Sequence, residues 1–259
     1  MKVCNANREF FLHVVSAVFD AYGKKPLIAE LGVLRGENAL NMYNILSPEH
    51  MVLIDSWSKD ITKTYSPFDT LPPWINPVET YSYYFGGSLN EQSTFDKIYE
   101  ECLVKFSDFS NVTMIRDDTI KAINKIRPAT GIDKFDLIYV DASHQYEYVL
   151  RDLMYYKELL APNGFMILND CCHSDAGTKQ NLGVLEALTS FMKRTDFIPL
   201  ALTNTDWSDV ILVRKGSPMI QAVDIAISNS DVAYVELPYQ FISSAKVIYG
   251  KQRANISFV

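Results

Sequence analysis

Two polar segments hold residues of chemical use at telling positions. Asp141-Ala142-Ser143-His144 follows the apolar run Leu137–Val140, and Asn169-Asp170 follows Phe165–Leu168. If those runs are neighbouring strands, their ends lie about 5 Å apart. Asp141, Asn169 and Asp170 then converge as three hard oxygen donors. Such a set suits Mg²⁺, which could chelate a diol and lower the pKa of one hydroxyl. The structural alternative is a helix cap at Asp141 and a turn at Asn169-Asp170. His144 titrates near neutral pH and can take a proton from an attacking hydroxyl; the alternative is a surface or capping histidine. His173 follows Cys171-Cys172. Adjacent thiols lack the spacing of a zinc site, so His173 is kept as a second base or substrate contact.

A second group lies earlier in the chain. The run Leu27–Leu31 leads into Glu30-Leu31-Gly32-Val33-Leu34-Arg35-Gly36. Glycines there permit a tight turn and close approach of backbone to ligand. The next run ends at Asp55, 19 residues after Gly36. A carboxylate at that point can accept both hydroxyls of a ribose. Two ligand classes fit. A dinucleotide site wants G-x-G-x-x-G. This chain has G-x-x-x-G with Glu30 two positions ahead, a poor neighbour for a pyrophosphate. An acid there suits S-adenosylmethionine, which carries a sulfonium and an ammonium and no phosphate.

These residues need elements to hold them. Apolar runs at Leu27–Leu31, Met51–Ile54, Val112–Ile115, Leu137–Val140, Phe165–Leu168, Ile198–Leu202 and Val210–Val213 alternate with helical patterns. The helices are expected at Glu37–Leu46, Glu91–Phe106, Thr119–Ile126, Tyr146–Leu160 and Lys179–Lys193. The alternation predicts an α/β protein: a Rossmann-like, mostly parallel, seven-stranded sheet with helices on both faces. The last two runs are close enough for a hairpin, so the final strand is expected to be antiparallel. Between residues 57 and 85 stand Trp57, Tyr65, Phe68, Trp74, Tyr81, Tyr83, Tyr84 and Phe85, with Pro67, Pro72, Pro73 and Pro77. An aromatic-rich insertion after the second strand is therefore expected, with 58–90 as a substrate lid; the alternative is a satellite core. Residues 1–215 form the expected main domain and 216–259 a C-terminal extension.

The chain has 259 residues and a formal charge of −7. An acidic balance argues against general nucleic-acid binding, which needs a basic surface. Phe10–Phe19 could pass for a signal-peptide core, but His13 interrupts it and its apolar residues recur at helical spacing. No apolar run is long enough for a membrane span. Cys4, Cys102, Cys171 and Cys172 are scattered without CxxC spacing, which suggests a reducing compartment, the cytoplasm.

Glu30-x-Gly32-x-x-x-Gly36 with Leu53-Ile54-Asp55-Ser56-Trp57 resembles the first two motifs of class I S-adenosylmethionine-dependent methyltransferases. The resemblance covers roughly residues 26–215. Asp141-Ala142-Ser143-His144, Tyr146, Leu150, Arg151-Asp152-Leu153 and Leu160-Ala161-Pro162-Asn163-Gly164-Phe165 resemble, within that class, the bacterial macrocin O-methyltransferase and cephalosporin-hydroxylase-like group, near the mycinamicin-type sugar O-methyltransferases. It implies cofactor contacts from Glu30, Gly32, Val33, Gly36, Asp55, Ser56 and Asp141. Asp117, Asp118 or Thr119 would lie near the adenine, with Asp118 the first choice for its amine; the alternative is a helix N-cap. The resemblance also implies Mg²⁺ on Asp141, Asn169 and Asp170, and His144 as base. The group usually has two acids where Asn169-Asp170 stands. The expected activity is O-methylation of a small-molecule acceptor, such as a sugar or glycoside, with no nucleic acid and no membrane as partner and room for a homo-oligomer. The competing readings are a nicotinamide-dependent oxidoreductase and a non-catalytic S-adenosylmethionine-binding accessory protein.

Overall fold

A computed structural model describes residues 1–62 and 71–259. Its strands are β1 (Lys2–Cys4), β2 (Leu27–Leu31), β3 (His50–Asp55), β4 (Val112–Arg116), β5 (Phe135–Val140), β6 (Leu160–Leu168), β7 (Phe197–Thr203), β8 (Val210–Arg214), β9 (Tyr234–Glu236), β10 (Lys246–Tyr249) and β11 (Ala254–Ser257). Its helices are α1 (Arg8–Ala21), α2 (Glu37–Leu46), α3 (Ser82–Phe85), α4 (Gln92–Lys105), α5 (Thr119–Thr130), α6 (Tyr146–Tyr156), α7 (Asp175–Lys179), α8 (Val184–Arg194) and α9 (Met219–Ser228).

All of β5 and nearly all of β2 and β3 are buried, because helices cover both faces of the sheet. Helices α1, α2, α4 and α9 pack on one face and α5, α6 and α8 on the other. The seven expected strands are β2 to β8, in the order β4-β3-β2-β5-β6-β8-β7. β8 runs antiparallel to both of its neighbours, as the hairpin spacing predicts. The sheet then continues by two strands. β1 pairs parallel with β7, and β9 pairs antiparallel with β1. Each has three residues, too few to show a period in sequence.

One expected helix divides. Lys179–Lys193 becomes α7 and α8, because Asn181 has φ 58° and Gly183 lies against Tyr146. A Cβ on Gly183 would stand 2.7 Å from the Cβ of Tyr146. The helix expected to reach Leu160 stops at Tyr156, and Leu160 opens β6. Residues 216–259 supply α9, which packs on α1, then β9 at the sheet edge and the β10–β11 hairpin. Among the described residues, no helix is long and apolar enough to cross a membrane.

The carboxyl ends of the parallel strands form one continuous rim. Asp117 N–H donates to Asp55 O at 3.0 Å, and Gly32 N–H to Ile54 O at 2.9 Å. Asp141 N–H donates to Leu31 O at 2.8 Å, and Asn169 N–H to Val140 O at 3.1 Å. Every expected site segment is thus tied by backbone to its neighbour.

Candidate active site

Strand register decides which side chains share a face. Glu30 pairs with Tyr139, and Tyr139 with Ile167. Two residues further on, the same face carries Gly32, Asp141, Asn169 and, across the antiparallel pair, Asp209. The face is the one covered by α1, and Arg8 at the start of α1 reaches into it. Its Nη1 is 3.6 Å from Asp141 Oδ2 and its Nε 4.0 Å from Asp209 Oδ1.

Asp141, Asn169 and Asp170 do converge, and they converge on His144. Its Nε2 lies 3.3 Å from Asp141 Oδ1, 3.2 Å from Asn169 Oδ1 and 3.6 Å from Asp170 Oδ2. Burial alone would lower the imidazole pKa. The bond to Asp141, the charge of Asp170 and the contact with Asn169 outweigh it and raise it to about 9. Asp170 holds a left-handed backbone, φ 55°, rare for a non-glycine residue and common at sites where geometry is enforced. Burial raises its carboxyl pKa, and the His144 charge opposes the rise. Behind this group, the Asn169 amide donates to Asp209 at 3.0 Å, and the Tyr139 hydroxyl donates to the same carboxylate. Asp209 is fully buried, and burial lifts its pKa to about 7 against the pull of Arg8 and Tyr139.

The glycine turn is held by Asp55. Its Oδ2 accepts from Val33 N–H at 2.9 Å and Leu34 N–H at 3.0 Å, and its Oδ1 from Trp57 N–H at 2.8 Å. A carboxylate offers about four acceptor positions, so one remains for a ribose hydroxyl. Trp57 is buried and donates its indole N–H to Leu34 O at 2.8 Å, which pins the turn from the other side. Ser56 lies between these two anchors. Gly32, at φ 82°, touches the β5 end: a Cβ there would stand 2.1 Å from Asp141 O. Gly36, at φ 77°, is pressed by α4, with a Cβ 2.7 Å from Phe106 Cε2. Below the turn, Glu30 is buried. Its Oε1 accepts from Asn38 Nδ2 at 2.8 Å, and its Oε2 has no partner among the described residues. Burial raises its pKa well above the carboxylate range.

Asp118 is the N-cap of α5, accepting from Ile120 N–H at 3.0 Å, and its other oxygen faces Arg151 at 3.2 Å. Asp117 accepts from Asp118 N–H and pairs with Lys125. Thr119 is buried and donates to Asp152 at 2.6 Å. All three stand at the rim beside Asp55, with their side chains engaged in local structure.

The described part of the aromatic insertion spans the rim. At one end Arg35 donates to Tyr84 O at 2.7 Å and Phe85 O at 2.9 Å. At the other, Asn76 N–H donates to Lys179 O of α7 at 2.9 Å. Trp74, Tyr83 and Tyr84 are exposed, whereas Trp57 belongs to the core. Tyr65, Phe68 and Pro67 lie outside the described residues. His173, expected as a second base, instead pairs with Glu186 at 3.6 Å, and its backbone bonds with β10.

The sequence matches the family described as a methyltransferase domain over residues 29–171, more than half of the chain. The chain belongs to this family. Among solved structures, the methyltransferase is similar to the O-methyltransferase TomG from Streptomyces achromogenes, involved in tomaymycin synthesis and solved with S-adenosylmethionine. Identity is 13%, covering 81% of this chain and 80% of that one, with a TM-score of 0.50. It is also similar to a candidate O-methyltransferase from Klebsiella pneumoniae, at 14% identity, 81% and 80% coverage, and TM-score 0.50. Likeness at this identity shows the fold. No curated protein matches the chain.

The magnesium expected from the donor set does not fit the methyltransferase as arranged. The oxygens of Asp141, Asn169 and Asp170 point at one ring nitrogen, and the second oxygen of Asp141 faces Arg8. Two cationic side chains hold the place a dication would take. Among the described residues, no group of three or more His, Cys, Asp or Glu is arranged to hold a metal. S-adenosylmethionine fits better, since the unpartnered oxygen of Glu30 is an acceptor for a cation. Arg8, Asp209, Tyr139 and Asn38 complete the site and were missed from sequence; Trp57, part of the second motif and of the aromatic stretch, is a buried anchor of the turn. Asp209 stands just before an apolar run, which was a usable signal. Arg8 gave none, because only the packing of α1 brings it to the rim.

Proposed function

We propose that this methyltransferase transfers the methyl group of S-adenosylmethionine to a hydroxyl of a small polar acceptor. Glu30 carries the reading: its buried Oε2 stands without a partner beneath the Gly32 turn. A buried carboxylate left so is costly, and a ligand ammonium removes the penalty. S-adenosylmethionine supplies an electrophilic methyl group; transfer forms a carbon–oxygen bond, breaks the sulfur–carbon bond and leaves a neutral thioether. Asp55 orients the turn and offers its remaining position to the ribose. Val33, whose N–H Asp55 accepts, and Ser56 stand beside that position, and Asp117, Asp118 or Thr119 bounds the adenine end. His144 is the base: Asp141 and Asn169 fix the ring through its Nε2–H, which leaves Nδ1 to take the hydroxyl proton. The protein's share is positioning and proton removal in a partly closed site.

A sugar-like acceptor is supported by the resemblance of the 141–165 segment to macrocin-type enzymes. Magnesium assistance is not carried into the proposal, because His144 and Arg8 engage its expected ligands. Within the insertion expected at 58–90, the described residues tied at Arg35 and Lys179 serve as a roof. The test is thermal unfolding with S-adenosylhomocysteine or NAD⁺. A ligand at about 100 times its Kd adds roughly 2.7 kcal/mol. A rise with S-adenosylhomocysteine alone is expected; a rise with NAD⁺ alone refutes the proposal. His144→Ala then separates an enzyme, which loses turnover and keeps cofactor affinity, from an accessory protein with no turnover to lose.

A further inference from the structure

Two groups of complementary chemistry stand on the same face of the sheet near the rim with hydrogen-bonding capacity unused. One is the Oε2 of Glu30. The other is the guanidinium of Arg8. Its nearest acids are at 3.6 Å and 4.0 Å, and among the described residues none of its five N–H donors makes a hydrogen bond. Its side chain is 36% exposed, so one edge is open to a ligand. The sheet register puts Glu30 two residues behind Gly32, and Gly32 beside Asp141, the residue that Arg8 approaches. A carboxyl oxygen without a partner and a guanidinium whose donors make no hydrogen bond, on one face, are the complement of a zwitterion.

We infer that Arg8 binds the carboxylate of the amino-acid half of S-adenosylmethionine, while Glu30 takes its ammonium. The inference rests on the cofactor reading above and adds a cofactor-specificity residue from outside the matched family segment, which begins at residue 29. A planar fork of donors suits a carboxylate and holds it in two places at once. Asp141 and Asp209 sit on the inner edge of the guanidinium at ion-pair distance, so they orient it without using its donors. A carboxylate of the acceptor molecule is the competing source of the same chemistry.

The test titrates the full chain with three probes by calorimetry: S-adenosylhomocysteine, its decarboxylated analogue and 5′-methylthioadenosine. Wild type and Arg8→Gln are compared, with Arg8→Lys as a third protein. A charge-assisted pair of hydrogen bonds predicts a loss of roughly 10- to 100-fold when the carboxylate is removed from the ligand. Arg8→Gln should lose a similar factor for S-adenosylhomocysteine and then bind the decarboxylated analogue as wild type does. Arg8→Lys should recover part of the loss. If wild type binds both homocysteine ligands equally, the inference is overturned, whatever the variants do. If Arg8→Gln binds S-adenosylhomocysteine as wild type does, it is also overturned, and the carboxylate that Arg8 awaits belongs to the acceptor. If wild type binds none of the three probes, the cofactor reading falls and takes this inference with it.

Discussion

Gly32→Ala tests the claim that the rim is held by direct backbone contact. At φ 82°, an alanine would occupy the left-handed region, at about 1–2 kcal/mol. Its Cβ would also stand 2.1 Å from Asp141 O and 2.4 Å from Ala142 Cα, both backbone atoms that cannot rotate away. Pushing packed backbone apart adds about 1–3 kcal/mol, for a total of about 2–5 kcal/mol. That is a large part of the roughly 5–15 kcal/mol that holds a domain folded. Gly131→Ala is the control: its φ is 74°, but nothing lies within 4 Å of the added carbon. It should lose only the conformational part. Guanidinium unfolding of both variants, compared at matched slope, gives the difference directly. S-adenosylhomocysteine affinity provides a second readout, since displacing Asp141 moves the acid beside Arg8. If Gly32→Ala is no less stable than Gly131→Ala, to within about 0.5 kcal/mol, the contact does not exist and the argument fails.

Asp55→Asn should destabilise despite its shape, because an amide turns one acceptor into a donor facing Trp57 N–H; roughly 1–3 kcal/mol in urea unfolding is expected, and wild-type stability would refute it. Asp152 is buried with its pKa raised to about 6, chiefly by burial. The folded state therefore keeps a proton that the unfolded state has lost, and stability falls as pH rises from about 4 to about 6. Asp152→Asn should remove up to about 3 kcal/mol of that slope, read from midpoints across the pH series. His144, at about 9, is charged at neutral pH. As a base it must first release its proton, so turnover should climb with pH toward 9, and a rate flat from 6 to 9 would deny it that role.

The strands were readable because each is an apolar run long enough to show its kind, and the hairpin because Ile198–Leu202 and Val210–Val213 leave too little chain for a crossover. Asp141, His144, Asn169 and Asp170 were readable as a group because strand ends are where a parallel sheet gathers its chemistry. The arrangement inside the group was not. Nothing in Asp141-Ala142-Ser143-His144 says that the ring turns its Nε2 onto three oxygens. The pairing of Asp118 with Arg151 depends on how α5 meets α6. β1 and β9 were invisible, since three residues carry no period, and Arg8 read only as the charge that opens a helix.

β1 lies between β7 and β9, with Lys2 opposite Ala201 on one side and Glu236 on the other. As the chain emerges from a ribosome, the first strand waits for a partner made about 200 residues later, and for its outer neighbour later still. Arg8 is only four residues beyond that strand. The rim from Gly32 to Asn169 can close on itself before β7 exists, whereas β1 cannot find its place in the sheet. A chain lacking β7 would therefore leave β1 unpaired just ahead of α1, the helix that carries Arg8.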